Sequence, residues 1–340
     1  MTKARRGIVT GGMWCVDRNR TIDAWPHEDG VAEISGIEIY GGGSACNMAL
    51  DLKKLDPSFP VETIGLVGDD DDGRFLLAQA DAHGIDRTQL IAVEGAETQF
   101  TDAYVSKTTG RRTHIFYQGA SALLTPDHFD LVRTTGRILH LGLPGAHRKM
   151  DAPWRDDPNG WVTVLRQARA VGLETNLELF SIAPDRIATM IRPCLPHLDY
   201  LIVNDLEIGA IAGKETSHDG VAVVTACVEA ARQVLAQGAM GLVVVHFPAG
   251  AVAIARDGQI WTASSVSIPQ AEIVSANGAG DAFAAGAIYA LHEGWSVDAA
   301  LELAHATAAM SLRGLSTCAA VDTYQACLAQ AKRWGHRPAI

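Results

Sequence analysis

The hydrophobic pattern changes character along the chain. From residue 138 onwards, short strand-like segments at 138–141, 172–179, 200–203 and 242–247 recur between segments with helical spacing. Trp161, Val164, Leu165 and Ala168 share one helical face, as do Val224, Val228, Ala231 and Leu235. Strands alternating with helices predict an α/β fold, a mainly parallel sheet covered by helices on both faces. Upstream, residues 7–16 read as a first strand followed by Asp17, and 61–67 as a buried strand ended by Gly68-Asp69. Between them Gly41-Gly42-Gly43 leads into a helix start at 47–52.

Two early stretches break this alternation. Residues 18–39 are polar and irregular, with a short alternation over 31–40 that suits exposed strands. Runs at 103–107 and 113–117 flank Thr109-Gly110 and predict a hairpin. Together these stretches predict a small sheet projecting from the main domain, a flap able to close over a substrate and exclude water. The expected division is therefore a main α/β domain over 1–13, 41–99 and 119–340, and a β lid over 14–40 and 100–118. An exposed small sheet has edges and an apolar face to cover, which favours a homodimer through the lid. Residues 147–160, rich in Pro, Asp and Arg, read as a mobile loop.

Composition narrows the function classes. A chain of 340 residues is long enough for one large α/β domain and a smaller appendage. A formal net charge of -11 argues against a nucleic-acid partner, which needs clustered Lys and Arg, but leaves a nucleotide open. Six scattered cysteines show no CxxC or CxxH spacing, so a structural zinc site is not expected and the thiols read as reduced. The basic start is followed by an apolar run that Gly11-Gly12 breaks and Asp17 ends, too short for a signal peptide. No run approaches the length of a membrane span, and a cytoplasmic location is expected.

The chemistry concentrates in Gly278-Ala279-Gly280-Asp281, which runs straight into a helical stretch carrying Phe283, Ala287 and Leu291 on one face. Glycine lets the backbone approach a ligand, and a helix N-terminus offers unpaired N–H groups to an anion. Asp281 at that mouth either caps the helix or takes a proton from an attacking hydroxyl, and the two roles are not exclusive.

In sum the chain resembles the PfkB/ribokinase-like carbohydrate and nucleoside kinase family over nearly its whole length. Gly42-Gly43-Ser44-Ala45-Cys46-Asn47-Met48-Ala49 resembles the family's GG-x-x-x-N-x-A segment, and Val67 to Gly73 its VG-x-D-x-x-G segment. Asn204-Asp205-Leu206-Glu207 is similar to its N-x-x-E motif and Gly278 to Asp281 to its GAGD motif. The tail ending Leu312-Arg313-Gly314 resembles the helix and turn beside the nucleotide base.

The resemblance implies a ribokinase-like three-layer α/β/α domain with a small β-sheet lid, and an ATP-dependent, Mg²⁺-requiring sugar kinase. It makes Asp281 the general base and the amides of Ala279, Gly280 and Asp281, introduced by Gly278, an anion hole. It places Asp17, Gly43, Asn47 and Glu178 on the acceptor, with Thr98 and Phe100 or Tyr104 facing the sugar from the flap. Asn204, His246, Gly250, Gly278 and Gly280 fall on the nucleotide side, and Asn204 with Glu207 on Mg²⁺, mostly through water.

Plainer roles stay open for several of these. Asn204 also suits a helix cap, Glu207 a solvated helix residue, Asp17 a turn residue, and the Asp69 to Asp72 run a solvated turn. His147-Arg148-Lys149 suits either an anionic substrate or a solvated loop. Ser275-Ala276-Asn277 stands where the family shows D-T-x, so the aspartate of its monovalent-cation site is missing and K⁺ activation is in question. His246-Phe247-Pro248 stands where relatives carry T-x-G. A nucleoside kinase with the same machinery is the nearest alternative, marked by a hydrophobic flap pocket for a base. A non-catalytic binding member is the next. A nicotinamide dehydrogenase would need G-x-G-x-x-G in the first strand–helix turn, which Gly11-Gly12-Met13 does not supply.

Overall fold

The computed structural model describes residues 5–109, 111–180 and 182–340. Gly110 of the expected hairpin turn and residues 1–4 of the basic start lie outside them. In chain order the elements are β1 (Ile8–Gly12), β2 (Cys15–Ile22), β3 (Ile34–Gly42), α1 (Ser44–Leu55), β4 (Val61–Gly68) and α2 (Asp71–Ala82). Then come β5 (Asp86–Val93), β6 (Phe100–Ser106), β7 (Arg112–Tyr117), β8 (Ile138–Gly142), α3 (Arg148–Asp151), α4 (Gly160–Ala170) and β9 (Glu174–Leu177). The remainder comprises α5 (Pro184–Ile191), β10 (Tyr200–Asn204), α6 (Asp205–Ala212), β11 (Ser217–His218), β12 (Val221–Ala222) and α7 (Val224–Gln237). The chain closes with β13 (Leu242–Phe247), β14 (Gly250–Ala255), β15 (Ile260–Ser264), α8 (Ala279–His292), α9 (Val297–Ser311) and α10 (Tyr324–Trp334).

The main sheet has the order β15-β14-β13-β10-β9-β8-β1-β4-β5, parallel from β13 to β5, with β14 and β15 added antiparallel at one edge. Its central strands are almost wholly buried because both faces are covered, and β8, β10 and β13 are mainly apolar. Successive residues alternate between two cores: Ile8 joins the helices α1, α8 and α9 on one face, and Val9 joins α4 to α7 on the other. Leu242 and Val244 go to the first core, Val243 and Val245 to the second. Met48, Leu52, Phe283 and Ile288 fill the first, and Trp161, Leu165, Ile211 and Val234 the second. This is the three-layer α/β/α arrangement. β4 and β8 flank β1, and the order reverses there, the chain running outwards through β4 to β5 before returning to β8, which opens a crevice beyond the C-terminal ends of these strands.

A second sheet, ordered β3-β2-β6-β7, stands beside that crevice. The expected single strand over 7–16 is in fact two strands in two sheets. The chain crosses at Met13-Trp14, where the fully buried Trp14 donates its indole N–H to Thr63 Oγ1 at 2.8 Å. The polar stretch after it is not irregular, since β2 runs on to Ile22. Its charges are used within the sheet: Arg20 pairs with Asp102 of β6 at 2.7 Å, and the Arg18 guanidinium lies 4.2 Å over Phe100.

Five strands, β5, β14, β15 and the two-residue β11 and β12, were not anticipated. β5 is an edge strand, mostly exposed or half-buried, whose mixed pattern lacks a core-strand signal. The 147–160 segment is not a mobile loop, because Asp151 at its centre accepts from Gly145 N–H and Trp161 Nε1–H, both at 2.9 Å. No helix among the described residues is long and apolar enough to cross a membrane.

Candidate active site

Helix α8 begins at Gly278, whose left-handed φ of 76° turns the chain sharply into the helix. A Cβ there would collide with Thr317, so the turn requires glycine. No side chain caps this helix. Asp281 sits at its third position, and its Oδ2 accepts from Asn47 Nδ2 of α1 at 2.7 Å instead of folding back as a cap. Gly280 leaves room for the His246 ring, which stacks at 4.9 Å on Phe283. Burial drives His246 down to about 4, so it faces the cleft as a neutral imidazole.

Gly43, Asn47 and Asp17 also line this cleft, which has a volume of about 690 Å³. Asn47 spends its amide within the protein, since its Oδ1 accepts from Thr317 Oγ1 at 2.6 Å while its Nδ2 holds Asp281. Asp17 lies on β2 rather than in a turn, and its carboxylate occupies the space that any side chain at residue 42 would fill. Strand register sets Asp17 opposite Thr101, and Thr101 opposite Phe116, in one row across the small sheet. All three face the cleft, with His114 beside them.

The flap residues expected there point elsewhere, because the side-chain period of a strand is two. Phe100 packs on Tyr117, and Tyr104 meets Trp25 edge-on at 5.8 Å. Thr98 is buried and bonds Asp70, which caps α2 by accepting from Gly73 N–H at 2.8 Å. The acidic run at 69–72 is thus a capped turn, with Arg74 paired to Asp69 and Asp71.

Asn204 caps α6, accepting from Glu207 N–H at 2.8 Å, while Glu207 Oε2 accepts from Asn204 N–H at 3.0 Å. This reciprocal box fixes Glu207 at the cleft, buried rather than solvated. Burial, and then the charge of Asp281, pushes its carboxyl up to about 7. Glu178, at the end of β9, is likewise pushed up to about 7 by burial, with Glu207 and Asp51 adding to it. Burial and the adjoining Glu178 hold Asp281 well above the ordinary carboxylate range. Among the described residues no cluster of three or more His, Cys, Asp or Glu is placed to chelate an ion.

Two further expected contributors do not reach the site. Gly250 opens β14, paired with Phe247 and packed on Ser264 and Ile340, outside the cleft lining. His147 of the expected basic cluster is buried edge-on against Trp161, and burial lowers it to about 4. Sequence reasoning missed His140, Asn176, Thr317 and Phe180. Only His140 had a signal, as a polar residue inside the apolar run at 138–141.

The sheet order, with a small separate sheet beside the crevice, is that of the ribokinase-like fold. The chain belongs to the pfkB family of carbohydrate kinases, whose model matches residues 9–323. It is thus a kinase with an alcohol acceptor. The 5-dehydro-2-deoxygluconokinase of Clostridium beijerinckii is 25% identical over 316 residues, 87% of this chain and 85% of that one. The adenosine kinase of Schizosaccharomyces pombe is 37% identical over 115 residues, so that match spans only 33% of either chain. A ribokinase of Arabidopsis thaliana, solved with ribose and ATP, superposes with a TM-score of 0.77 at 20% identity, covering 96% of this chain and 99% of that one.

The raised carboxyls give a stability signature. Glu178 and Glu207 keep protons in the fold that the unfolded chain gives up near 4.5, so their contribution falls as pH rises from 4.5 through about 7. The melting temperature of Glu207→Gln is expected to drop less than that of the wild type between pH 5.5 and 8. Equal drops would mean Glu207 is already ionised in the folded protein.

Proposed function

We propose that the protein transfers the γ-phosphoryl group of ATP to a hydroxyl of an uncharged sugar. Asp281 is the general base in this reading, and the amides of Ala279, Gly280 and Asp281 receive the charge spreading over the transferred group. The observation that carries it is the Asp281 carboxylate, held by Asn47 at the uncapped start of α8 and facing the Asp17 row across the cleft. The acceptor hydroxyl lies between them, oriented by Asp17, Gly43 and Thr101. The small sheet acts as a lid over 14–40 and 100–118, keeping water from competing for the phosphoryl group.

The residues present fit Mg²⁺. Glu207 is a buried carboxyl with a raised pKa beside other acidic groups, which a divalent cation would relieve. Glu207 would hold the ion largely through water, with Asn204 fixing Glu207 by the capping box, because Mg²⁺ keeps most of its hydration. Bound Mg²⁺ neutralises phosphate charge during transfer. His246 stands on the nucleotide side as a neutral donor.

Charge supports the choice of acceptor. Asp17, Glu178, Glu207 and Asp281 line the cleft, and no Lys or Arg does among the described residues. A sugar acid or sugar phosphate would find no cationic side chain in that lining and would crowd carboxyls whose protons are already held by burial and mutual repulsion. The acceptor named for the gluconokinase relative is an acid, so the acceptor here differs from it in charge. A second reading, a nucleoside acceptor, is favoured by Phe116 and Phe180, which meet edge-to-face at 5.6 Å and form an apolar wall for a planar base.

Replacing Asp281 by Asn is expected to lower kcat by about 10²–10⁴-fold with the fold and nucleotide affinity retained. Near-normal turnover of that variant would remove the base assignment. In an ADP-release screen with and without K⁺, neutral sugars or nucleosides should stimulate turnover and gluconate-type acids or sugar phosphates should not. Preferential turnover of an anionic acceptor would overturn the charge argument while leaving the kinase reading standing.

A further inference from the structure

Asn47 sits between two partners that engage opposite ends of its amide. Its Nδ2 donates to Asp281 Oδ2 at 2.7 Å, and its Oδ1 accepts from the Thr317 hydroxyl at 2.6 Å. The Cys318 thiol stands 3.6 Å from the same Oδ1 and 3.6 Å from the Asn47 carbonyl oxygen, a second and weaker donor on that side. A carboxamide has one donor end and one acceptor end, so donors gathered on the Oδ1 side decide which way round it lies. They present N–H to the Asp281 carboxyl. Turned about, the amide would set two oxygens face to face across the same 2.7 Å, a contact that suits Asp281 only while it keeps its own proton. A base cannot work in that form.

Thr317 is itself held in place. It is buried, in the loop that follows α9, and that loop is tied to α1 at a second point. Lys54 lies seven residues beyond Asn47, two turns along the same helical face. Its ammonium donates to the carbonyls of Cys318 at 2.5 Å and Ala319 at 3.0 Å. On its other side Thr317 fills the space over Gly278, where an added Cβ would lie 2.4 Å from Thr317 Cβ. The loop is therefore wedged between α1 and the turn that starts α8, with one hydroxyl aimed at one amide. Removing that hydroxyl alone would leave the buried amide oxygen with only the thiol at 3.6 Å to serve it.

We infer that Thr317 is a positioning residue for the base, its hydroxyl fixing the Asn47 amide so that Nδ2–H, and not Oδ1, meets Asp281. The inference rests on the reading of Asp281 as the base. In this arrangement Asn47 serves the base instead of the acceptor contact expected of it. The loop after α9 acts on the reaction through that amide, and Lys54 keeps the loop against α1 while it does so.

The test separates the hydroxyl from the bulk that carries it. Thr317→Val keeps the branched side chain over Gly278 and loses the hydroxyl; Thr317→Ser keeps the hydroxyl and loses a methyl group. The Val variant should lose about 10-fold in kcat with KM for ATP unchanged, and the Ser variant should stay within about threefold of the wild type. Thermal melts establish folding, and if the Val variant does not fold, Thr317→Ala takes its place in the comparison with Ser. A double-mutant cycle then decides how the hydroxyl acts. With Asn47→Ala there is no amide to orient, so adding Thr317→Val should change kcat by less than about twofold. If the second substitution costs as much in that background as in the wild type, or if the Ser variant falls as far as the Val variant, Thr317 acts by packing on the turn and the inference is wrong. Wild-type turnover in Thr317→Val would overturn it equally. An active Asp281→Asn would instead remove the base reading itself, so the two failures are told apart.

Discussion

The hydrogen bond between Asn47 and Asp281 is the contact on which the rest of the site depends, because it ties two helices that begin at different loops of the sheet. α1 follows the small sheet and α8 follows the late part of the chain, 234 positions on. Both helices pack on the same face of the main sheet, in one core with Met48, Leu52 and Phe283. Burying that face brings their N-termini to one crevice, and the single amide–carboxylate bond sets how they meet. Around it, burial and mutual repulsion keep the carboxyls of Glu178, Glu207 and Asp281 partly protonated in the resting cleft. The cleft thus offers an anion no positive partner among the described residues and would release protons to a cation.

Much of this was legible in the residues. Strands with uniform apolar runs, such as 138–141 and 242–247, stand out because both of their faces are buried. The GAGD turn and the Asn204–Glu207 spacing are local motifs whose geometry follows from helix-start physics, and they lie where that physics puts them. Edge strands were harder. β5 and β15 are partly exposed, so their patterns resemble those of loops. The break at Met13-Trp14 was invisible because the apolar run continues across it, although the chain changes sheets there.

The site was legible where roles are local and opaque where they come from pairing. Thr101 and Phe116 face the cleft, but their neighbours Phe100 and Tyr117 do not, and only the strand register decides between them. His140 and Asn176 meet because β8 and β9 align them, although 36 positions separate them. Gly250 shows the converse error, since a glycine after a late strand suits a phosphate loop but here serves a hairpin packed on Ile340. No pattern within a single segment carries such information.

The row formed by Asp17, Thr101 and Phe116 has an evolutionary consequence. These side chains belong to a sheet that shares no strand with the main one, whereas the groups proposed to handle the phosphoryl group sit on α6 and α8. On the function proposed above, substitutions along that row would retune which alcohol is accepted without disturbing the machinery that moves the phosphoryl group. Diversification by such exchanges is cheap in stability, because half-exposed strand faces tolerate change far better than a packed interior. A lineage built this way can acquire new substrates one residue at a time while its chemistry stays put.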